Sequence, residues 1–297
     1  MAKLTMLSFG GGQDSTAILY KIVFDPIFRR TYASGDLVVV MSDTGDEHKE
    51  TYEHVEFVKK FCEEHGVTFI HLQPDMGYHG RTWQSLRGQY ELNNTVGSKA
   101  FPKSCTDKLK IYPIYNFLSD YVNDKYLFGE STPYRKKSLY EFVDRYDKID
   151  VLLGIASGEE KRINKSDPSK LAKWMTVCLN KVYPLVDLEM DRQACQDYIE
   201  SVGMKVPPPS NCILCPFMSE IELLWMWRFI PEDFNQWVIY EQNKINRDPE
   251  KENNLGVWGK RMLPEVLERA KEKYGHMSDD ELQEYKMSHG HCVMSSY

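Results

Sequence analysis

A glycine-rich segment near the start of the chain carries the clearest chemical signal. It runs from Ser8 to Thr16, follows the apolar run Leu4 to Leu7, and precedes residues with helical periodicity. Glycines let the backbone approach an anion closely, and hydroxyl groups at a helix start add donors where the helix dipole is positive. The segment is therefore expected to hold a phosphate, although a ligand-free strand-to-helix turn could use the same residues. It has neither the Gly-Lys-Ser/Thr ending of a Walker loop nor the G-x-G-x-x-G spacing of a dinucleotide site.

Polar clusters follow two further apolar runs. Asp43-Thr44-Gly45 comes after Leu37 to Ser42, and a segment from Gly154 to Arg162 comes after Val151 to Ile155. Asp43 is a candidate ligand for a metal ion or a ribose hydroxyl, and Lys161 and Arg162 supply two cations. Either cluster could be an ordinary loop, but an open parallel sheet would bring all three segments to one edge.

The cysteines favour metal binding or thiol chemistry over disulfides. Their number is odd, and no export signal is apparent at the start of the chain. The seven are Cys62, Cys105, Cys178, Cys195, Cys212, Cys215 and Cys292. Cys212 and Cys215 form a C-x-x-C, which is half of a metal site. Cys62, Cys178 and Cys195 lie in apolar stretches and are expected in the core.

Composition narrows the class of protein. The chain has 297 residues, with 37 Lys and Arg against 44 Asp and Glu, for a formal net charge of −7. This balance argues against broad binding to nucleic acid through phosphate contacts. No apolar run is long enough to span a membrane, so we expect a cytoplasmic protein with no membrane partner.

Alternating strand and helix patterns predict an α/β fold with a doubly wound parallel sheet of five strands. The strands are predicted at Leu4 to Phe9, Leu37 to Ser42, Val67 to Leu72, Val151 to Ile155 and Lys181 to Leu185. A helix is predicted from Ser15 to Arg29. The stretch from Pro74 to Pro102 shows no regular pattern and is interpreted as a mobile flap.

The proline run Pro207 to Pro209 suggests a domain boundary. We predict a nucleotide-binding domain over residues 1–206, with a flap insertion at about 74–148. A small helical, cysteine-containing subdomain is predicted over 207–297, with its aromatic residues in the core.

In sequence order, these motifs resemble the PP-loop ATP pyrophosphatases and phosphoadenosine phosphosulfate (PAPS) reductases. Gly10 to Ser15 is similar to the family's Ser-Gly-Gly-x-Asp-Ser loop, with Gly10 at the first serine and Gln13 where many reductases carry lysine. Lys103 to Lys110 resembles the family's block of Cys and Lys, and Tyr183-Pro184-Leu185 resembles a later motif. The resemblance spans about residues 4 to 220 and implies a Rossmann-like fold of the HUP type.

The resemblance implies a site for an adenine nucleotide, either ATP with Mg²⁺ or adenylyl sulfate as substrate. Asp14, Lys161 and Arg162 are the implied catalytic residues, with Cys292 as an alternative nucleophile. The implied nucleotide-binding residues are Ser8, Gly10, Gly11, Gly12, Gln13, Asp14, Ser15, Thr16, Asp43, Thr44, Gly45 and Gly154.

Iron-sulfur members of the family suggest a metal site at Cys105, Cys212 and Cys215. They carry adjacent cysteines where this chain has Ser104 and Cys105, so a fourth ligand must come from elsewhere. Cys292 is the first candidate, and His289 or His291 the next. A [4Fe-4S] cluster, Zn²⁺ and unligated thiols all remain open.

Three functions compete. The first is an enzyme that adenylates an acceptor with ATP and releases pyrophosphate, for sulfur transfer or for nucleotide or nucleic-acid modification. The second is a PAPS or adenosine phosphosulfate reductase that releases sulfite. The third is a nucleotide-binding component of a modification or defence complex without turnover. The expected partners are an unidentified acceptor such as a nucleobase or small molecule, a sulfur donor or thioredoxin-like protein, and a second copy in a homodimer.

Overall fold

A computed structural model describes residues 3–163 and 172–288. Its centre is a five-stranded sheet in which every pairing is parallel, with the order β3-β2-β1-β4-β5. The strands are β1 Leu4–Ser8, β2 Asp36–Ser42, β3 Thr68–Leu72, β4 Ile149–Leu153 and β5 Leu179–Val182. The predicted α/β class and the five-stranded parallel sheet are confirmed.

Helices surround this sheet and continue beyond it. In chain order they are α1 Gln13–Phe24, α2 Pro26–Tyr32, α3 Lys49–Glu64, α4 Leu86–Asn93, α5 Tyr112–Tyr126, α6 Lys137–Arg145, α7 Lys173–Cys178, α8 Pro184–Asp187, α9 Arg192–Ser201, α10 Glu220–Phe229, α11 Pro231–Arg247, α12 Leu263–Tyr274 and α13 Asp279–Ser288. No helix in the described ranges is both long and apolar enough to cross a membrane.

The buried side chains form three layers. One layer packs α1, α3 and α9 on one face of the sheet, and a second packs α5, α6 and α7 on the other. Cys62 and Cys195 are buried in the first layer and Cys178 in the second, as expected. The third layer joins α4 to α10, α11, α12 and α13. It contains Phe234 and Trp237, whereas Trp225 and Phe229 pack at its edge and Trp227 is exposed.

Two element boundaries differ from the sequence prediction because of proline. The predicted first helix is interrupted at Asp25, whose side chain accepts hydrogen bonds from Ile27 N and Phe28 N and begins α2 at Pro26. Strand β5 ends at Val182, before the predicted end, because Pro184 begins a helix and has no N–H for a strand ladder.

The stretch from 74 to 102, predicted to be irregular, contains a helix. Ser85 caps α4 by accepting a hydrogen bond from Gly88 N, and Leu86 N donates to Thr44 O at 2.8 Å. Leu86 and Tyr90 are buried in the third layer. This stretch therefore joins the end of β2 to the C-terminal helices.

Arg87 connects these parts electrostatically. Its guanidinium pairs with the buried Asp46 and, at 2.6 Å, with Asp233 at the start of α11. Burial raises the pKa of Asp46 to about 7 in spite of Arg87. The Asp46 carboxylate therefore depends on this arginine for its charge.

Replacing Arg87 by methionine should destabilise the protein by about 3 kcal/mol, because it leaves a buried carboxylate without its cation. Equilibrium unfolding in urea at pH 8 measures the effect. Lys49→Met removes the exposed pair with Glu53 and should change the free energy of unfolding by less than about 0.5 kcal/mol. Equal effects of the two substitutions would contradict this role of Arg87.

Candidate functional site

The loop between β1 and α1 is shaped by close contacts that leave little room for a side chain. Gly11 has a φ of +74°, and a Cβ there would lie 3.1 Å from Thr51 Cγ2. A Cβ on Gly12 would lie 3.1 Å from Ser210 N. The loop is thus held between α3 and the segment that follows the proline run.

The first turn of α1 is open to a ligand. Gly12 precedes the helix and has no side chain to cap it. The Ser15 hydroxyl accepts a hydrogen bond from Gly10 N at 3.2 Å. The amides of Gln13, Asp14 and Ser15 therefore begin a helix without a side-chain cap, which is the arrangement that binds anions.

A cleft lies in front of this turn. It is bounded by the carboxyl ends of β1 and β4, which are neighbours in the sheet although β2 and β3 follow β1 in the chain. Ligands of open α/β sheets bind at this reversal of strand order. The lining residues include Ser8, Gly10, Gly12, Gln13, Asp14, Ser15, Met41, Ser42, Lys110, Gly154, Arg162, Arg192, Pro209 and Ser210.

Three cations line the cleft, each held by a glutamate. Arg162 and Arg192 both pair with Glu159, the second at 3.0 Å, so this wall carries a net positive charge. Lys110 Nζ lies 3.2 Å from Glu47 Oε1. Ion pairing restricts the rotation of these side chains, and guanidinium and ammonium groups are suited to charge-assisted hydrogen bonds with anionic oxygens.

Asp14 is the only acidic side chain among the described residues that line the cleft. Its Oδ1 is buried and has no hydrogen-bond partner in the described part of the chain. Burial raises the pKa of Asp14 to about 6, against the opposing effect of Arg192. An unsatisfied carboxylate oxygen beside an anion site is suited to a bound Mg²⁺, whose usual ligands are carboxylates and phosphates.

The residues of the motif after β2, Asp43-Thr44-Gly45, form hydrogen bonds with neighbouring protein groups. Asp43 Oδ1 accepts hydrogen bonds from Gly45 N and Tyr52 OH, both at 2.8 Å. Thr44 Oγ1 donates to Glu47 Oε1 at 3.1 Å. None of these three residues lines the cleft. The residues of β2 that do line it are Met41 and Ser42.

Of the other residues expected at the site, some line the cleft and others lie outside it. Gly154 lines the cleft, and a Cβ there would lie 2.9 Å from Ser15 N, so the strand-four loop packs on the glycine loop. Gly11 shapes the loop without lining the cleft. Thr16 is buried, and its hydroxyl donates to Gly12 O at 2.8 Å. Lys161 is exposed and lies outside the cleft lining.

The Gln13 side chain connects the glycine loop to two distant parts of the chain through hydrogen bonds. Its Nε2 donates to Pro207 O at 3.0 Å, and its Oε1 accepts from Gln196 Nε2 at 2.9 Å. The side chain is buried, and its amide is already occupied by protein groups. Many reductases of the family that the sequence resembles carry a lysine at this position. Here the glutamine side chain instead joins the glycine loop to the proline run and to α9.

Cys105, Cys212 and Cys215 line one small cavity. Cys212 Sγ lies 3.4 Å from Thr44 Oγ1, and burial, followed by the charge of Glu47, raises the pKa of the Cys212 thiol. In the part of the chain that the structure describes, no three His, Cys, Asp or Glu side chains are arranged to hold a metal ion. Cys292, His289 and His291 lie outside the described residues.

Lys110 forms part of both the cleft and the cysteine cavity. It belongs to a five-residue π-helical stretch, Asp107–Ile111, immediately before α5. Such stretches are rare and occur often at functional sites. Lys110 therefore lies between the cleft and the three thiols.

Sequence reasoning missed several cleft residues. Arg192 is the first residue of α9 and reaches the cleft only through the tertiary fold. Ser210 follows the proline run, and its hydroxyl donates to Glu47 Oε2 at 3.3 Å. Lys110 had a local signal, since it lies in the block of Cys and Lys, but nothing local indicated which lysine faces the cleft.

Comparisons with known proteins do not identify a family for this chain. No model of a known protein family matches it. It is similar to an uncharacterized protein of Methanocaldococcus jannaschii, with 25% identity over 281 residues that cover 89% of this chain and 53% of that protein. The chain thus spans about half the length of this curated relative.

One solved structure is similar over the whole length. It is the U34-tRNA thiolase NcsA from Methanococcus maripaludis with its [4Fe-4S] cluster, at 15% sequence identity and a TM-score of 0.39, covering 100% of this chain and 82% of that one. These similarities do not assign the chain to a family.

Replacing Asp14 by asparagine should stabilise the ligand-free protein in a pH-dependent way. The pKa of Asp14 is higher in the folded state than the usual 3.8, so ionisation reduces stability as pH rises from about 4 to 6. The substitution removes this loss, with a gain of about 2–3 kcal/mol at pH 8 and little gain at pH 3.5. Urea unfolding at both pH values measures it, with the exposed Glu250→Gln as control. A gain independent of pH would contradict the burial of Asp14.

Proposed function

We propose that the chain is a PP-loop enzyme that uses ATP to adenylate an acceptor and releases pyrophosphate. The observation that carries the proposal is the cleft at the β1–β4 reversal, where an uncapped helix start, three cations and one buried carboxylate meet. Phosphate oxygens suit the helix start and the cations, and a metal ion suits the carboxylate. The order of motifs resembling the PP-loop family supports the same assignment.

In this proposal the first-turn amides of α1 hold the β- and γ-phosphates, with Asp14 toward Mg²⁺. An acceptor oxygen attacks the α-phosphorus, and the bond from that phosphorus to the bridging oxygen breaks, so that its electron pair leaves with pyrophosphate. Arg162, Arg192 and Lys110 offset the negative charge that develops on the transferred and leaving groups. The adenylated acceptor then carries a good leaving group for attack by sulfur or nitrogen.

The enzymatic test uses ATP labelled at the α-phosphate, with total RNA and a small-molecule cell extract as separate acceptor sources. Formation of pyrophosphate with AMP or an adenylated product is expected. Accumulation of ADP and phosphate would contradict adenylation. Release of sulfite from PAPS in the presence of thioredoxin would instead identify a reductase.

Substitutions of the lining arginines test the cleft. Arg162→Gln and Arg192→Gln should each weaken binding of Mg-ATP by about 10- to 100-fold, since each removes charge-assisted hydrogen bonds to phosphate. Isothermal titration calorimetry measures the affinity. Lys161→Gln alters the neighbouring exposed cation and should leave the affinity within about twofold. If Lys161→Gln had the largest effect, the nucleotide would lie outside this cleft.

We further propose that Cys105, Cys212 and Cys215 hold an iron-sulfur cluster. Three thiols that line one cavity support this donor type, but in the described residues they are not grouped as ligands of one metal ion, so cluster binding would require them to draw together. Cys292, the fourth ligand suggested by the sequence, lies outside the described residues. When bound, such a cluster would supply or hold the sulfur for transfer. Lys110 lines both the cysteine cavity and the cleft, which supports sulfur chemistry beside the proposed nucleotide site.

Anaerobic purification with iron and zinc analysis tests the cysteine assignment. The unaltered protein should contain iron and absorb broadly in the visible range, and Cys105→Ser, Cys212→Ser and Cys215→Ser should each lose most of both signals. Cys195→Ser, in the core beside α1, should retain them. Zinc without visible absorption, or neither metal, would contradict a cluster.

A further inference from the structure

A second cavity lies apart from the cleft, between α4 and the segments around residues 95–105 and 216–217. Its volume is about 190 Å³. A dry apolar cavity of about 150 Å³ is large enough to hold benzene, so this space has room for one six-membered ring. It shares no lining residue with the cleft, and the proposed function leaves it unused.

Four aromatic side chains line this space, which we call the aromatic cavity: Trp83, Tyr90, Phe101 and Phe217. Within the described residues, only Tyr90 of the four has a ring neighbour, the ring of Tyr240 at 6.1 Å between centroids. Phe101 is 47% exposed, and Trp83 and Phe217 are half-buried. Three aromatic rings therefore border a ring-sized space without stacking on another ring of the described chain. A flat ligand would supply the ring contact that they lack.

The wall formed by residues 95–104 is held in place by close contacts and hydrogen bonds. A Cβ on Gly97 would lie 2.7 Å from Pro216 Cγ, so only a residue without a side chain lets the two segments approach this closely. The Ser98 hydroxyl is buried and donates to Gly256 O at 2.7 Å. The cavity is therefore formed in the absence of a ligand, as most small-molecule sites are.

The polar groups of the aromatic cavity limit the charge of a ligand. Lys103 is the one charged side chain among the described residues that line it, and its Nζ lies 5.3 Å from the centroid of the Phe217 ring. A positively charged ligand is therefore disfavoured. Gln89 Oε1 accepts a hydrogen bond from Asn93 Nδ2 at 3.0 Å, which leaves Gln89 Nε2 to donate to a ligand.

We propose that the aromatic cavity binds a flat, uncharged heteroaromatic ring that belongs to a free small molecule. The bordering rings fit its shape, the volume limits it to about one ring, and the Gln89 amide matches an acceptor atom on it. The formal net charge of −7 favours a free molecule over a base in a nucleic-acid strand, whose phosphates the chain would repel. This inference goes beyond the proposed function and does not depend on it.

The position of the aromatic cavity relates it to the thiols. Leu86, Lys103, Cys105 and Pro216 line both the aromatic cavity and the cysteine cavity, and Lys110 lines the cysteine cavity and the cleft. The cysteine cavity thus adjoins the other two spaces. A ring in the aromatic cavity would lie beside Cys105 and would leave the cleft open, so nucleotide and ring should bind at the same time.

Flat and non-flat amides of similar size test the cavity. Nicotinamide, uracil and cytosine are titrated into the full chain with and without saturating Mg-ATP and followed by ligand-observed NMR. Cyclohexanecarboxamide, which carries an amide on a puckered ring, is the control. At least one flat probe should bind about tenfold or more tightly than this control, and Mg-ATP should leave its affinity within about twofold.

Substitution of the exposed cavity ring locates the binding. Phe101→Ala should weaken binding of the flat probe by about fivefold or more. Phe57→Ala removes a ring of α3 that is 48% exposed and lies outside the cavity, and it should leave the affinity within about twofold. Phe101→Tyr keeps the ring and should retain binding. Thermal unfolding of each variant checks that a loss of affinity is not a loss of folding.

Four results would overturn the proposal. They are equal affinities for the flat probes and cyclohexanecarboxamide, displacement of the flat probe by Mg-ATP, equal losses in Phe101→Ala and Phe57→Ala, and binding of an eight-nucleotide single-stranded RNA that depends on Phe101 while the free probes fail to bind. The last result would assign the ring to a nucleic-acid strand. If Mg-ATP does not bind while a flat probe still binds in a Phe101-dependent way, the proposed function fails and the aromatic cavity stands.

Discussion

The buried carboxylate of Glu47 organises the region between the cleft at the β1–β4 reversal and the cysteine cavity. Its side chain is fully buried, so its charge must be compensated from within the protein. Thr44, Lys110 and Ser210 provide that compensation from the end of β2, the π-helical stretch and the segment after the proline run. Three distant parts of the sequence are thereby fixed around one group. Loss of any partner would disturb both cavities, because Lys110 lines each of them.

The sheet could be predicted from sequence because its central strands β1, β2 and β4 are buried on both faces. Runs such as Val38 to Met41 are apolar throughout, as expected for a central parallel strand, and the glycine loop identifies where the first strand ends. Errors arose where a single residue redirects the chain, as at Asp25 and Pro184. Helix α4 was missed because it is short and polar and depends on the Ser85 cap and on packing against the C-terminal helices.

The candidate site was less predictable than the fold. The glycine loop, Asp14 and Arg162 are close to strand ends in sequence, so a local pattern indicates them. Arg192 comes from the start of a helix far along the chain, and its role depends on sharing Glu159 with Arg162. Asp43 illustrates the reverse case. It stands at a strand end like a ligand, but the Gly45 amide and the Tyr52 hydroxyl occupy one of its oxygens.

Asp14 shows what the cleft costs the protein in the absence of a ligand. Its carboxyl group is largely buried, and its Oδ1 has no hydrogen-bond partner within the described residues. Burial raises the pKa of Asp14 to about 6 against the effect of Arg192, so the group tends toward its neutral form. A chain selected only for stability would replace such a group or pair it. This cost is therefore an argument that a ligand completes the proposed site at the first turn of α1.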